Sequence, residues 1–132
     1  FREHARVPAE FDVLFLQGGA SQQFAVVPMN LLHAGQSADY ALTGVWAEKA
    51  FAEAKNVGTA RKAADTGDNG RYTRVPTQSE LDLDPKAAYF HYATNNTVMG
   101  TQFHYAPETG SVPQVLDMSS DILSYPLDWS RI

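Results

Sequence analysis

Three groups of residues in this sequence have types and positions suited to binding a ligand. The first is the turn Gly18-Gly19-Ala20-Ser21, which lies between an apolar run and a segment with helical character. Backbone N–H groups at a helix N-terminus can bind a phosphate without any cationic side chain, and glycines permit its close approach. The turn is neither a Walker loop nor a full GxGxxG fingerprint, and the same pattern also occurs in tight connections that bind nothing. Both interpretations remain open on the pattern alone.

The second group is Trp46, which falls in the first turn of a helix predicted from about residue 45 to residue 55. An indole at this position could stack on a flat heteroaromatic ring. It also shares a predicted helix face with Ala50 and Phe51, which favours core packing instead. The sequence supports either role.

The third group is centred on Asp117, which ends a short apolar run and precedes Met118-Ser119-Ser120. A carboxylate at a buried strand end needs a partner, and a protonated pyridine nitrogen would be one, keeping the ring an electron sink. The alternative is a carboxylate that caps a helix. Thr97 and Ser119 add hydroxyl donors on loops at strand ends, either as ligand contacts or as ordinary turn chemistry.

Neither the histidines nor the lysines indicate a further reactive or metal-binding site. The histidines lack the spacing of metal ligands, so we expect no metal site and interpret them as structural or exposed: His4, His33, His91 and His104. None of the lysines falls in the buried context that imine chemistry favours: Lys49, Lys55, Lys62 and Lys86.

Strands that alternate with helices must position these groups. The pattern predicts strands over 12–16, 39–44, 59–64, 87–93 and 115–117. It predicts helices over 2–5, 21–32 and 45–55, with a kink or break of the second helix at Pro28. It also predicts a polar loop over 65–70 and a short helix that is capped by Ser119-Ser120 and ends at Leu123. This is an α/β fold with a mostly parallel sheet flanked by helices, in which ligands bind beyond the carboxyl ends of the strands. The three groups fall at that edge.

Composition narrows the class of protein. The 132 residues fit one globular domain, with 44% hydrophobic and 19% charged residues. A net charge of −5 with scattered basic residues disfavours nucleic acid, and no apolar run approaches the roughly 20 residues that span a membrane. Without cysteine or an N-terminal targeting segment, we expect a cytoplasmic protein.

Several blocks together carry a family resemblance. They span nearly the whole chain and read Val13-Leu14-Phe15-Leu16-Gln17-Gly18-Gly19-Ala20-Ser21, Val27-Pro28-Met29-Asn30-Leu31-Leu32, Thr43-Gly44-Val45-Trp46, His91-Tyr92-Ala93-Thr94-Asn95-Asn96-Thr97 and Asp117-Met118-Ser119-Ser120-Asp121-Ile122-Leu123-Ser124. In order and spacing the chain resembles the phosphoserine aminotransferases, which are class V, fold-type I enzymes dependent on pyridoxal 5'-phosphate (PLP).

The resemblance implies a homodimer that moves an amino group between L-glutamate and 3-phosphohydroxypyruvate in serine and pyridoxine biosynthesis. It implies that Ala20 and Ser21 bind the PLP phosphate through backbone N–H groups, with the Ser119 hydroxyl. By the same resemblance Trp46 stacks on the pyridine ring, Thr97 approaches its phenolic oxygen and Asp117 pairs with its nitrogen.

The departures from the family are equally specific. The family's Schiff-base lysine would lie beyond Ile132, so we expect no catalytic residue in this chain and no activity of the chain alone. Residues 1–132 would be a fragment of the PLP-binding large domain, without the N-terminal segment and the C-terminal small domain. Tyr125 and Trp129 stand where relatives commonly have an arginine and a smaller apolar residue. The alternative is a stand-alone Rossmann-like module that binds a phosphate ligand without catalysis.

Overall fold

A computed structural model describes residues 1–132, with the exception of the side chain of Arg131. The α-helices are α1 (Arg2–Ala5), α2 (Ala20–Leu31) and α3 (Val45–Val57), and 3-10 turns occupy Gln78–Glu80 and Trp129–Arg131. The strands are β1 (Ser37–Leu42), β2 (Thr59–Asp65), β3 (Gly67–Asp68), β4 (Arg71–Tyr72), β5 (Phe90–Ala93), β6 (Asn95–Asn96), β7 (Thr101–Gln102) and β8 (Gln114–Asp117).

Four parallel strands form the main sheet in the order β2-β1-β5-β8. Its inner strands β1 and β5 are buried along almost their whole length, as expected of strands covered on both faces. The predicted α/β class with a mostly parallel sheet is therefore confirmed. The polar loop predicted over 65–70 contains β3, which pairs with β4 in a small antiparallel hairpin.

Apolar side chains fill both faces of this sheet. On one face, α2 and α3 pack through Phe24 and the small residues Ala47, Ala50 and Ala54, which let α3 approach the strands closely. On the other face, an aromatic group covers the sheet, with Phe90, Tyr92 and Phe103 among its buried members. The sheet is thus fixed from both sides, and its carboxyl edge is a rigid platform.

The strand predicted over 12–16 is wrong. This segment has no regular structure, and Leu14, Phe15 and Leu16 are 72%, 89% and 65% exposed. An apolar run indicates side chains that favour burial, but a strand also needs a neighbouring strand with free hydrogen-bonding groups. The run pairs with no strand in the described part of the chain.

Two helix predictions also need correction. α2 continues through Pro28 without dividing, because the proline lies in the last turn, where its missing N–H removes a single intrahelical bond. The short helix predicted to run to Leu123 is absent, and consecutive turns take its place. Leu123 has a φ of 70°, a left-handed conformation that an α-helix cannot continue through.

Candidate functional site

The residues predicted to bind a ligand surround one cavity at the carboxyl edge of the sheet. The cavity has a volume of about 280 Å³, and its lining residues are Gly19, Ala20, Ser21, Phe24, Trp46, Asn95, Thr97, Asp117, Ser119 and Ser120. They come from four parts of the chain: the start of α2, the first turn of α3, the segment after β5, and the end of β8 with the turn that follows it. The parallel sheet therefore brings together residues that lie far apart in the sequence.

The glycine turn leaves the N-terminus of α2 at this cavity. Gly19 is the N-cap and has no side chain to bond the first N–H groups, so those of Ala20 and Ser21 remain available to a ligand. Gly18 has a φ of 95°, and a Cβ built there would collide with Oε1 of Gln22. The positive φ is what favours glycine at this position, since the exposed Gln22 side chain can move away from a Cβ.

Trp46 takes part in both arrangements that the sequence left open. The half-buried ring packs against the core beneath α3 and also lines the cavity. Its Nε1 donates a hydrogen bond of 3.4 Å to Oγ1 of Thr97, and Nζ of Lys49 lies 4.5 Å from the ring centroid. The indole is therefore held in place at the cavity wall by the core on one side and by the loop after β5 on the other.

Asp117 lines the cavity, and only one of its two carboxylate oxygens accepts hydrogen bonds from the described residues. Oδ1 accepts hydrogen bonds from the backbone N–H of Ser119 at 3.1 Å and from its hydroxyl at 2.5 Å. Within the part of the chain that the structure describes, Oδ2 accepts none. Asp117 caps a turn rather than a helix, and the Ser119 hydroxyl is engaged with this carboxylate.

A buried polar network fixes the loops around the cavity. Nδ2 of Asn96 donates to Oγ1 of Thr43 at 3.0 Å, and Oγ1 of Thr101 donates to the Thr43 carbonyl at 2.5 Å. These bonds tie the loop that carries Thr97 to the connection that precedes Trp46. The sequence reasoning missed this network, although two polar residues directly after a buried strand are a signal that could have indicated it.

A second buried pair supports the turn after β8. Oγ1 of Thr94 lies 2.6 Å from Oδ1 of Asp121 and 3.1 Å from the Asp117 carbonyl, and the Tyr125 hydroxyl donates to Oδ2 of Asp121 at 3.2 Å. The Tyr125 hydroxyl therefore bonds to the buried carboxylate of Asp121. Asp121, which sequence reasoning left without a role, is 4% exposed and orders the segment that carries Ser119.

The histidines agree with their predicted structural or exposed character. His91 is buried, and burial lowers its pKa to about 4, although the nearby charge of Asp117 partly opposes this shift. His4, His33 and His104 are exposed. Among the described side chains, no group of three His, Cys, Asp or Glu residues is arranged to hold a metal ion. None of the described helices combines the length and apolar character that a membrane crossing requires.

The cavity lies at the carboxyl edge of a parallel sheet, with a glycine-initiated helix, a tryptophan and an aspartate in its wall, and this is the position at which α/β enzymes bind phosphate ligands. Comparison with known families makes this specific, since the class-V aminotransferase profile matches residues 1–132. The chain belongs to the class-V aminotransferase family.

Individual relatives point to one branch of that family. The phosphoserine aminotransferase of Lysinibacillus sphaericus is 53% identical over 122 residues, which cover 92% of this chain and 33% of the relative. The solved structure of the enzyme from Bacillus circulans subsp. alkalophilus superimposes with a TM-score of 0.93 at 46% identity, covering 99% of this chain and 36% of that one. The predicted resemblance and fold are confirmed.

A further structural relative carries the cofactor. The PLP-bound phosphoserine aminotransferase of Trichomonas vaginalis has a TM-score of 0.87 at 35% identity, over 99% of this chain and 37% of that one. The predicted cofactor is confirmed at the level of the family. This chain spans about a third of the length of the relatives that it matches.

Proposed function

We propose that the full-length protein carrying this chain is a PLP-dependent aminotransferase that converts 3-phosphohydroxypyruvate and L-glutamate to O-phospho-L-serine and 2-oxoglutarate. The observation that carries the proposal is the free Oδ2 of Asp117, which shares one cavity with the N-terminus of α2 and with Trp46. The names of the relatives, phosphoserine aminotransferases over 92% or more of this chain, support the substrate assignment.

The residues of the cavity fit the three chemical parts of PLP. The free N–H groups of Ala20 and Ser21 suit the phosphate, because the helix N-terminus carries partial positive charge. The Trp46 indole suits the face of the pyridine ring, and the Thr97 hydroxyl suits its phenolic oxygen. The Ser119 hydroxyl, which donates to Asp117, orients that carboxylate and turns toward phosphate only by giving up this bond.

Asp117 has the central electrostatic role in this proposal. An ionised carboxylate beside the ring nitrogen holds a proton there, and bound PLP then supplies the electron sink that amino-group transfer requires. The bonds from Ser119 occupy Oδ1, so the carboxylate is oriented before the cofactor arrives. Such preorganisation avoids the cost of turning the carboxylate during the reaction.

The role of Asp117 can be tested by substitution in the full-length protein. We expect Asp117→Asn to lower kcat by about two to four orders of magnitude, because a neutral amide does not hold the ring nitrogen protonated. PLP should remain bound, which its visible absorbance after gel filtration would verify. Asp68→Asn, in the exposed β3–β4 hairpin, is the matched control and should leave kcat unchanged. Wild-type turnover of Asp117→Asn would refute the assignment.

A phosphate-binding module without catalysis is the second candidate function. The observation that favours it is the absence of lysine from the described cavity lining. Borohydride treatment of the full-length protein with PLP separates the two candidates, because an enzyme is labelled in a one-to-one ratio at one active-site lysine, whereas a binding module is labelled only by chance reaction of exposed lysines. Peptide mapping should then place the label outside residues 1–132. A homodimer, a cytoplasmic location and roles in serine and pyridoxine biosynthesis stay predictions that accompany the enzyme.

A further inference from the structure

His91 is a buried residue whose hydrogen bonding is incomplete beside the candidate site. The residue is 4% exposed, and its Nδ1 has no hydrogen-bonding partner among the described residues. A buried polar atom without a partner costs free energy, and in native proteins such atoms usually bond to water or serve a functional group. This nitrogen is closed off from solvent, so the part of the imidazole that lines the cavity beside Asp117 is the other edge of the ring.

The strand register places His91 on the same face of the sheet as Asp117. In the parallel β5–β8 pair, His91 lies opposite Val115 and Ala93 lies opposite Asp117. Residues two positions apart on a strand share a face, so the imidazole and the carboxylate are diagonal neighbours. Both residues, together with Ser119, line a cavity that continues from the glycine turn.

The surrounding aromatic rings hold the imidazole in one orientation. Tyr40 stacks on it with ring centroids 4.9 Å apart and an angle of 25° between the planes, and Phe24 meets it edge-on at 6.4 Å. At neutral pH the buried ring is uncharged, because burial lowers its pKa to about 4. A neutral imidazole carries one N–H donor and one acceptor, so it can orient a carboxylate without neutralising its charge.

We propose that His91 is a positioning residue for Asp117, and that its imidazole reaches the carboxylate through a water molecule in the cavity they share. The bridging water orients the carboxylate toward the ring nitrogen of PLP. Because the imidazole is neutral, the negative charge of the carboxylate remains available to pair with that nitrogen. The proposal rests on the aminotransferase function proposed above, since it assigns His91 a part in cofactor recognition. His91 does not contact PLP itself but orients Asp117, which does. Residues that hydrogen-bond to the ligands of a metal ion act in the same indirect way.

The test uses the full-length protein and PLP labelled with ¹⁵N in its pyridine ring. The ¹⁵N chemical shift reports directly whether the ring nitrogen is protonated. We expect His91→Phe, which keeps an aromatic ring in the stack, to move the shift toward the unprotonated value. It should also weaken PLP affinity about tenfold, the scale of one lost hydrogen bond to a charged group. His91→Gln keeps a donor and should lie closer to wild type in both measurements.

Matched variants separate this role from general damage to the core. Tyr40→Phe alters the same aromatic stack, since it removes the 2.6 Å hydroxyl contact with Tyr89, but it does not reach Asp117. A wild-type shift in His91→Phe, or an equal change in Tyr40→Phe, would overturn the proposal. If the phenylalanine variant does not fold, His91→Leu lacks both nitrogens and carries the same expectation.

Asp117→Asn tells the two proposals apart. If it leaves the ¹⁵N shift unchanged, Asp117 is not the partner of the ring nitrogen and the proposed function itself loses its support. If it moves the shift while His91→Phe does not, the function stands and only the role of His91 is wrong.

Discussion

Trp46 joins structure and binding in a single side chain. Its ring packs on the core, bonds Thr97 and lines the cavity, so its removal should affect both stability and ligand affinity. In the full-length protein we expect Trp46→Ala to weaken PLP binding by about 1 kcal/mol or somewhat more, the scale of an aromatic pair beyond its buried area. Trp46→Phe should recover most of this loss.

Equilibrium dialysis against PLP measures both variants. Phe51→Leu is the control, because Phe51 packs against the same core from α3 without lining the cavity. If Trp46→Ala binds PLP as tightly as the wild type, then Trp46 is a core residue only.

His91 should give the folded protein a specific dependence on acid. Its folded pKa of about 4 lies below the ordinary value of 6.5, so between these values the unfolded chain binds a proton that the folded chain does not. Stability should therefore fall as the pH is lowered from about 6.5 to 4. The full loss from this group is roughly 3 kcal/mol, at about 1.4 kcal/mol for each pKa unit.

Thermal unfolding followed at several pH values tests this expectation. His91→Phe cannot titrate and should show a smaller decrease in Tm across this range. His33→Phe replaces an exposed histidine and should keep the wild-type pH dependence. Equal pH dependence in His91→Phe and the wild type would show that other groups control acid unfolding.

The roles of single residues could be predicted from the sequence where they depend on the order of strands and helices, and not where they depend on packing between distant segments. Asp117 ends a strand, and the alternation of strands and helices along the chain is enough to assign it to the binding edge of a parallel sheet. The glycine turn was assigned to the same edge from the apolar run before it, which forms no strand, so its position there depends on the start of α2. Asn96 and His91 were different, because their roles depend on which side chains pack against them. Such packing joins distant segments and cannot be read from the local pattern of apolar and polar residues.

At the scale of elements, the start of α2 forms the proposed phosphate site. Gly18 has a positive φ, and a Cβ there would displace the side chain of Gln22, which lies in the first turn of α2. We expect Gly18→Ala to lower stability by about 1 kcal/mol or more through backbone strain, and to weaken PLP binding because the helix start must shift.

Gly35 provides a matched control for this prediction. It has a φ of 84°, similar to that of Gly18, but nothing lies within 4 Å of its Cβ position. Gly35→Ala should therefore show the strain by chemical denaturation while PLP affinity stays at the wild-type value. A Gly18→Ala protein with unchanged PLP affinity would show that the turn does not form the phosphate site.

Elements were predictable where one segment decides its own structure. The apolar face of α3 has helical periodicity in the sequence, and β1 and β5 are short runs that suit strands buried on both faces, and the structure confirms all three. The run over 12–16 failed because strand formation depends on a partner elsewhere in the chain. The turns after Asp117 failed because Leu123 adopts a left-handed conformation that its residue type does not predict.

At the scale of the whole molecule, the apolar run at Leu14, Phe15 and Leu16 determines whether the isolated 132-residue chain associates. Three adjacent large apolar side chains exposed by more than half form a surface that favours association. We expect the purified chain to bind a hydrophobic dye and to self-associate in analytical ultracentrifugation. It should also fail to transaminate when mixed with PLP and glutamate, because no lysine lines the described cavity.

Serine substitutions at these three positions provide the comparison. The triple variant should bind less dye and sediment as a smaller species, while its circular dichroism stays unchanged, because the segment has no regular structure. A monomeric wild-type chain that excludes the dye would contradict this expectation. Turnover by the chain alone would show that one of its own lysines is catalytic.

The contact between Gly44 and Asn96 constrains how this sequence can change over evolutionary time. A Cβ at position 44 would lie 2.5 Å from Oδ1 and 2.7 Å from Cβ of Asn96, so any larger residue there requires glycine at position 96. A smaller residue at 96, however, gives up the bond to Thr43. Each single step is therefore harmful, and the two positions form an epistatic pair that should change together or not at all among descendants of this sequence.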